Sequence, residues 1–251
     1  MKKINLDNRK SYVFLFFKRI FTFSLFLPLI FFLGCKKDLS LKVQDKLSEV
    51  RYNLFVGKNE NFSVKFTSGF REDPYVIDGI SESKKEFGVI TVKIFNEQNF
   101  NADENEIFEY VITINDTDYD GTFEQNPFDK TFVADIETFV LDESKVEIKL
   151  TFQGKTFESE LVNVSKNFKI SHKDALDIFI KEHEKNIENY IKNGINFEIY
   201  VKILGDDSVA SEQYYFYICL ISTNNDTINL IINPQNGEIL AKSEGKNRII
   251  L

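Results

Sequence analysis

The chain has 251 residues, is 43% apolar and 14% aromatic, and carries a formal net charge of −8. That apolar content, with only four prolines, is enough for a packed core and excludes a disordered stalk. The acidic balance argues against a phosphate backbone as partner, and two cysteines cannot frame a disulfide-dense scaffold.

At the start of the chain, Lys2, Lys3, Arg9, Lys10, Lys18 and Arg19 precede an apolar run from Ile20 to Leu33, which Gly34 and Cys35 close. The run is shorter than the ~20 residues of a spanning helix, and Lys36, Lys37 and Asp38 switch abruptly to charge. This arrangement resembles a bacterial lipoprotein signal, with Gly34 and Cys35 matching the lipobox strictly and Phe32 and Leu33 at its variable positions. The resemblance implies a signal peptide over residues 1–34 and a diacylglyceryl group on Cys35. It implies a protein anchored to the cell membrane through lipid and facing outside the cytoplasm. Residues 35–46 then form a polar tether that spans at most about 35–40 Å. Removal of residues 1–34 leaves 25 basic and 38 acidic residues, a net charge of −13, which leaves cations, basic proteins or neutral ligands as partners and excludes nucleic acid.

From Leu47 to Val164 apolar residues recur with period two, the pattern of half-buried strands. Val50 to Val56 and Phe62 to Phe66 form a first hairpin. Phe87 to Phe95, Ile107 to Ile114, Tyr119 to Phe123, Thr131 to Val133, Val146 to Phe152 and Phe157 to Val164 add further strands. Seven or eight short strands without a helix predict an all-β, immunoglobulin-like sandwich over residues 47–165. The period then changes. Ser171 caps a helix with Asp174 three residues on, and Leu176, Phe179, Ile180, His183, Ile187, Tyr190 and Ile191 form one stripe that ends at Asn193 and Gly194. Strands Phe197 to Leu204, Gln213 to Thr223 and Thr227 to Asn233 follow, so an α+β unit of one helix on an antiparallel sheet is predicted over residues 168–243, with a tail at 244–251.

The helix containing Ala175 and Leu176, the Tyr-rich strand Gln213 to Thr223, and the closing run Leu230 to Leu240 are similar to the PepSY-like module of exported bacterial proteins, with Asn233 and Asn236 in place of that family's aspartate and threonine. The resemblance implies a regulatory or inhibitory binding module of the cell envelope, often beside a peptidase, with no active site of its own. Ser68 to Tyr75 resembles bacterial lipoproteins of an uncharacterised family, which implies no function.

Candidate chemistry is sparse. Asp116, Asp118, Asp120 and Gly121 spell the start of a calcium-binding EF-hand loop, but Pro127 stands where a bidentate Glu is needed. A hairpin turned at Asn115 and Asp116 accounts for the run better, and its acidic tip is a weak calcium candidate. His183 and Glu184 begin a zinc-protease helix motif that Ile187 breaks, and His172 is the only other imidazole. Cys219, unpaired if Cys35 is acylated, reads as a buried small apolar residue. No catalytic residue, metal centre or cofactor is therefore predicted. Two surfaces are candidates for binding: the strand face bearing Tyr215 and Tyr217, which the first domain either covers or leaves open, and the loop from Arg71 to Gly79 around Tyr75. The expected role is a non-catalytic binding or regulatory protein of the bacterial cell envelope, with a peptidase or other envelope protein as partner. A ligand-binding or adhesion lipoprotein is the alternative, and a carboxylate-based hydrolase the third.

Overall fold

A computed structural model describes residues 39–58, 60–95, 107–205 and 213–246. Cys35 and the signal-like residues 1–34 lie outside them. Residues Met1–Asp45 and Lys46–Leu251 form two units. In the first, residues 39–44 are helical; the second carries the fold described below. Among the described residues no helix is long and apolar enough to cross a membrane.

Thirteen strands join into one sheet: β1 (Leu47–Lys58), β2 (Phe62–Glu72), β3 (Lys84–Ile94), β4 (Glu109–Ile114), β5 (Thr117–Thr122), β6 (Glu124–Gln125), β7 (Phe132–Ile136), β8 (Val146–Phe152), β9 (Lys155–Asn163), β10 (Phe197–Gly205), β11 (Tyr214–Ser222), β12 (Asp226–Ile232) and β13 (Ile239–Lys246). All pairings are antiparallel except that of β1 with β10. Strand β1 is shared. β2 runs along one of its edges, while the other edge pairs first with β10, at Leu47 to Val50, and then with β9, at Phe55 and Val56. The sheet forks at this edge.

One branch, β5-β4-β8-β9-β1-β2-β3-β7-β6, curls into a nearly closed barrel. The alternation seen in the sequence fills it: Phe55, Phe62, Val64, Phe66, Ile90, Val92, Ile112, Ile148, Leu150 and Phe152 are all buried in one cluster. The two-sheet sandwich predicted for residues 47–165 is thus corrected. Period-two patterning says which side chains are buried but not whether two sheets stay separate, and here the β9–β1 pairing joins them into one curved surface.

The other branch, β10-β11-β12-β13, extends from β1. Helices α1 (His172–Glu182) and α2 (Glu184–Lys192) accompany it. Ser171 accepts the amide of Asp174 at 3.2 Å and Asp174 accepts the amide of Ser171 at 2.8 Å, so the capping box closes with aspartate in the usual Glu position. The single helix of the sequence stripe is broken at His183, which ends α1 and starts α2. Leu176, Phe179, Ile187 and Tyr190 are buried, as are Phe197, Ile199 and Val201 of β10 and Phe216, Ile218 and Leu220 of β11. The predicted PepSY-like α+β domain is nevertheless contradicted, because this layer is no independent fold. Its first strand is a continuation of the barrel's sheet, and the protein is mostly β.

Because β1 serves both branches, truncating the barrel core should unfold both. F66A, at a fully buried site, is expected to cost about 3–5 kcal/mol. Urea unfolding followed by tyrosine fluorescence and by helical ellipticity should move by the same amount; separate shifts would mean that the branches unfold independently.

Candidate functional site

Among the described residues, a group of buried polar side chains lies where β1, β2 and β10 meet. Ser48, Glu49, Glu72 and Glu198 are each no more than 2% exposed. A bulge in β1 between Leu47 and Glu49 accommodates Ser48, whose hydroxyl donates to Glu72. Glu49 lies opposite Arg71 on β2 and Tyr200 on β10. Its carboxylate contacts Arg51 Nε at 2.6 Å and Lys202 Nζ at 3.5 Å. Burial opposes its charge, but Arg51 and Lys202, with a hydrogen bond from Tyr75, outweigh burial and hold its carboxyl below the usual range. At Glu72 burial wins: its carboxyl is pushed up, the Ser48 bond opposing and the nearby Glu198 charge reinforcing.

Glu198 performs a different task. One of its oxygens accepts the backbone N–H groups of Asp78, at 2.8 Å, and Gly79, and the other accepts the Tyr200 hydroxyl. The carboxylate thus pins the loop Asp73–Ser83, which joins β2 to β3, onto β10. Ser81 fixes the same loop to the start of β1 by donating to the Leu47 carbonyl at 2.8 Å, and the amide of Asp73 closes the loop base on Ser83 at 2.7 Å. Gly79 is needed twice: its φ is +85°, and a Cβ there would stand 2.5 Å from a Thr223 methyl. Tyr75, still 39% exposed, leans over the cluster: its hydroxyl bonds Glu49, its ring lies 6.4 Å from that of Tyr200, and the Arg71 guanidinium is 5.6 Å away. Arg71 also meets Asp135 at 2.9 Å. Two of the sequence candidates, Arg71 and Tyr75, therefore belong to this assembly. Val76, Ile77 and Ile80 point outward, 49%, 60% and 49% exposed.

The face of β10–β12 opposite the helices continues from this cluster. Lys202, Tyr215, Tyr217, Ile221, Asn229 and Ile231 are half-buried on it, so the barrel leaves the predicted tyrosine face partly open. The Tyr217 hydroxyl donates to Asn229 Oδ1 at 2.8 Å, and that of Tyr215 donates to Gln213. Burial, with the neighbouring Cys219, pushes the Tyr217 phenol up to about 12. Cys219 is a buried free thiol, and burial pushes it up in turn.

A surface cleft of about 550 Å³ opens at the fork, lined by Tyr52, Asp142, Ser165, Phe168, His172 and Phe216 among others. The His172 ring stacks on Tyr52 at 5.3 Å, and burial, then Lys173, keep the imidazole below its ordinary value and hence neutral at pH 7. The serines beside it are engaged structurally: Ser165 Oγ accepts the Leu54 amide and donates to Asn163, and Ser171 completes the helix cap. His183, at the helix break, is buried with Nδ1 3.3 Å from Glu244, and burial lowers its pKa as well.

The acidic run turns as a two-residue hairpin at Asn115 and Asp116, both at positive φ, and Ile114 pairs with Thr117. Asp118 accepts the Thr113 hydroxyl at 2.7 Å, and Asp120 lies two residues farther along β5. The three aspartates are therefore strung along a strand. Among the described residues no group of three or more His, Cys, Asp or Glu side chains is placed to hold a metal ion. Sequence reading missed Glu49, Glu72 and Glu198; an acid on an otherwise apolar strand, such as Glu198 within Phe197 to Val201, was the available signal.

No family model matches the chain, and neither a curated protein nor a solved structure matches it.

Two substitutions probe the cluster. E198A strips the acceptor from two loop amides and is expected to destabilise the fold by about 2–4 kcal/mol and to make residues 73–83 the first site of limited proteolysis. Glu72 has the opposite sign: its folded pKa lies above the unfolded one, so it favours folding when protonated and opposes it once the pH has risen through both. E72Q keeps an acceptor for Ser48. It should melt above the parent at pH 7, and the gain should vanish below about pH 4; thermal melts across that range check it.

Proposed function

We propose that this chain is a lipid-anchored protein held outside the cytoplasm through Cys35, which acts by binding and uses the tyrosine face of β10–β12 for recognition. The observation that supports the binding part is the half-open state of that face: tyrosines present apolar rings with their hydroxyls already satisfied, so covering them costs few unpaired polar groups. With the PepSY-like fold contradicted, the resemblance no longer supports a peptidase as the partner. An envelope protein of neutral or basic surface suits the net charge of −13 left after residue 34.

The cleft at the fork favours a second role, the uptake of a small ligand, because its aromatic lining and convergent polar groups are the ordinary makings of a ligand site. A thermal-shift screen of small molecules on the parent and on H172A separates the two: a stabilising compound whose effect H172A abolishes assigns function to the cleft.

The anchor is tested by C35S in the bacterial host. Labelled fatty acid should be incorporated into the parent but not into C35S, and C35S should leave the acyl-anchored fraction; equal labelling of both sinks the lipoprotein reading. A photoreactive residue at Tyr215 in intact cells should yield a discrete cross-linked species. If cross-links form instead from Leu240, on the outermost strand, recognition lies elsewhere.

A further inference from the structure

We propose that the loop Asp73–Ser83 is a membrane-contacting element, whose Val76, Ile77 and Ile80 dip into the interfacial region of a neutral bilayer and set the orientation of the anchored protein. This inference rests on the lipid anchor at Cys35. Three large aliphatic side chains within five residues are each about half exposed or more, and scattered single exposures would need no explanation where such a cluster does. The loop is not a slack segment. Glu198 holds its middle, Ser81 its far side and the Asp73–Ser83 bond its base, so its apolar tip is presented in a fixed geometry.

Placement decides the occupant. The loop is bonded to Leu47, at the start of β1, and Lys46 just before it accepts the Ile199 amide at 2.7 Å. This is the end of the sheet from which the chain runs back to Cys35. The twelve residues from Cys35 to Lys46, of which 39–44 are helical, reach less than the about 35–40 Å of a fully extended chain, so a lipid on Cys35 would keep this end of the sheet near the bilayer. The opposite end of β2, ten residues away along the strand, lies up to about 33 Å farther off. The apolar tip thus sits at the tethered end.

Charge selects the kind of surface. Asp73, Asp78 and Glu82 are set against Arg71, Lys84 and Lys85, with Asp73 3.3 Å from Lys85, so the loop carries no excess of basic charge to draw it to anionic headgroups and zwitterionic lipid is the matching surface. Three partly inserted aliphatic groups are too weak to hold the protein by themselves. Added to an anchor they need only choose among orientations of a molecule already at the membrane.

The chain contains no tryptophan, so a single introduced indole reports alone. Full-length I77W and, as the far-end control, F128W, at a residue 95% exposed in the turn before β7, are reconstituted into phosphatidylcholine vesicles whose acyl chains carry bromine. The indole of I77W should shift to the blue and lose at least half its emission, while that of F128W loses little. Adding V76D and I80D to I77W should restore the emission with acylation unchanged. An unquenched, solvent-like indole in I77W overturns the inference. So does a blue-shifted but unquenched one, which means that protein, a second copy or another partner, covers the loop; so does equal quenching of I77W and F128W. The mass of the N-terminal peptide is read on the same samples. An unacylated Cys35 sinks the anchor reading, whereas an acylated, vesicle-bound chain with an unquenched I77W indole sinks the loop inference alone.

Discussion

The structure depends on one strand having more neighbours than an ordinary strand can accept. β1 gives its first residues to β10 and its later ones to β9 along the same edge, and β2 takes the whole of the other. Between the two partners, around Arg51 to Leu54, the ladder has to be completed by other means. The Leu54 amide is accepted by Ser165 Oγ and its carbonyl accepts the Val164 amide, while the side-chain amide of Asn53 donates to the Val140 carbonyl. Buried backbone polar groups left unpaired there would oppose folding. Gly69 makes the same crossing possible from the β2 side, since a Cβ would fall on the Val50 carbonyl oxygen.

Several features follow from the fork. Strands that leave a common edge in different directions cannot stay in contact, and the notch between them is the cleft lined by Tyr52, Ser165 and His172. The parallel pairing sets Glu49 beside Tyr200 and carries Glu198 to the rim of β1 and β2. Carboxylates in such a place are costly unless every lone pair is used. Each resolves the cost differently: Glu49 by two cations and the Tyr75 phenol, Glu198 by two loop amides and a phenol, and Glu72 by the Ser48 hydroxyl and the Glu82 backbone, with a carboxyl that holds its proton more tightly.

The cluster links fold to surface. A loop of eleven residues bearing three outward aliphatic groups would, if unattached, turn them inward or sample many conformations. Pinned through its amides to a buried carboxylate, it holds them outward at the end of the sheet where β1 begins. The open tyrosine face starts from the same carboxylates and runs away from that end along β10 and β11. The molecule thus has two distinct non-polar surfaces with one polar hinge of support between them.

Much of the local structure was legible. Alternation marked the barrel strands, the Ser171 and Asp174 pair marked the start of α1, and Asn115 with Asp116 marked a hairpin rather than a calcium loop, because these features depend on residues within a turn or two of one another. The break at His183 and the last strand were missed: His183 lies on the apolar stripe like its neighbours, and β13 is polar along almost its whole length, held by its pairing with β12. The sequence by itself determined which apolar side chains of the strands are buried, where the hairpins turn, and a lipobox-like cysteine at position 35. Only the tertiary structure decided that barrel and helix-bearing layer are one sheet, that three glutamates are buried together, and that the Tyr75 loop stands at the end of the sheet where β1 begins. Those outcomes rest on the register between strands far apart in sequence, which side-chain periodicity leaves undetermined.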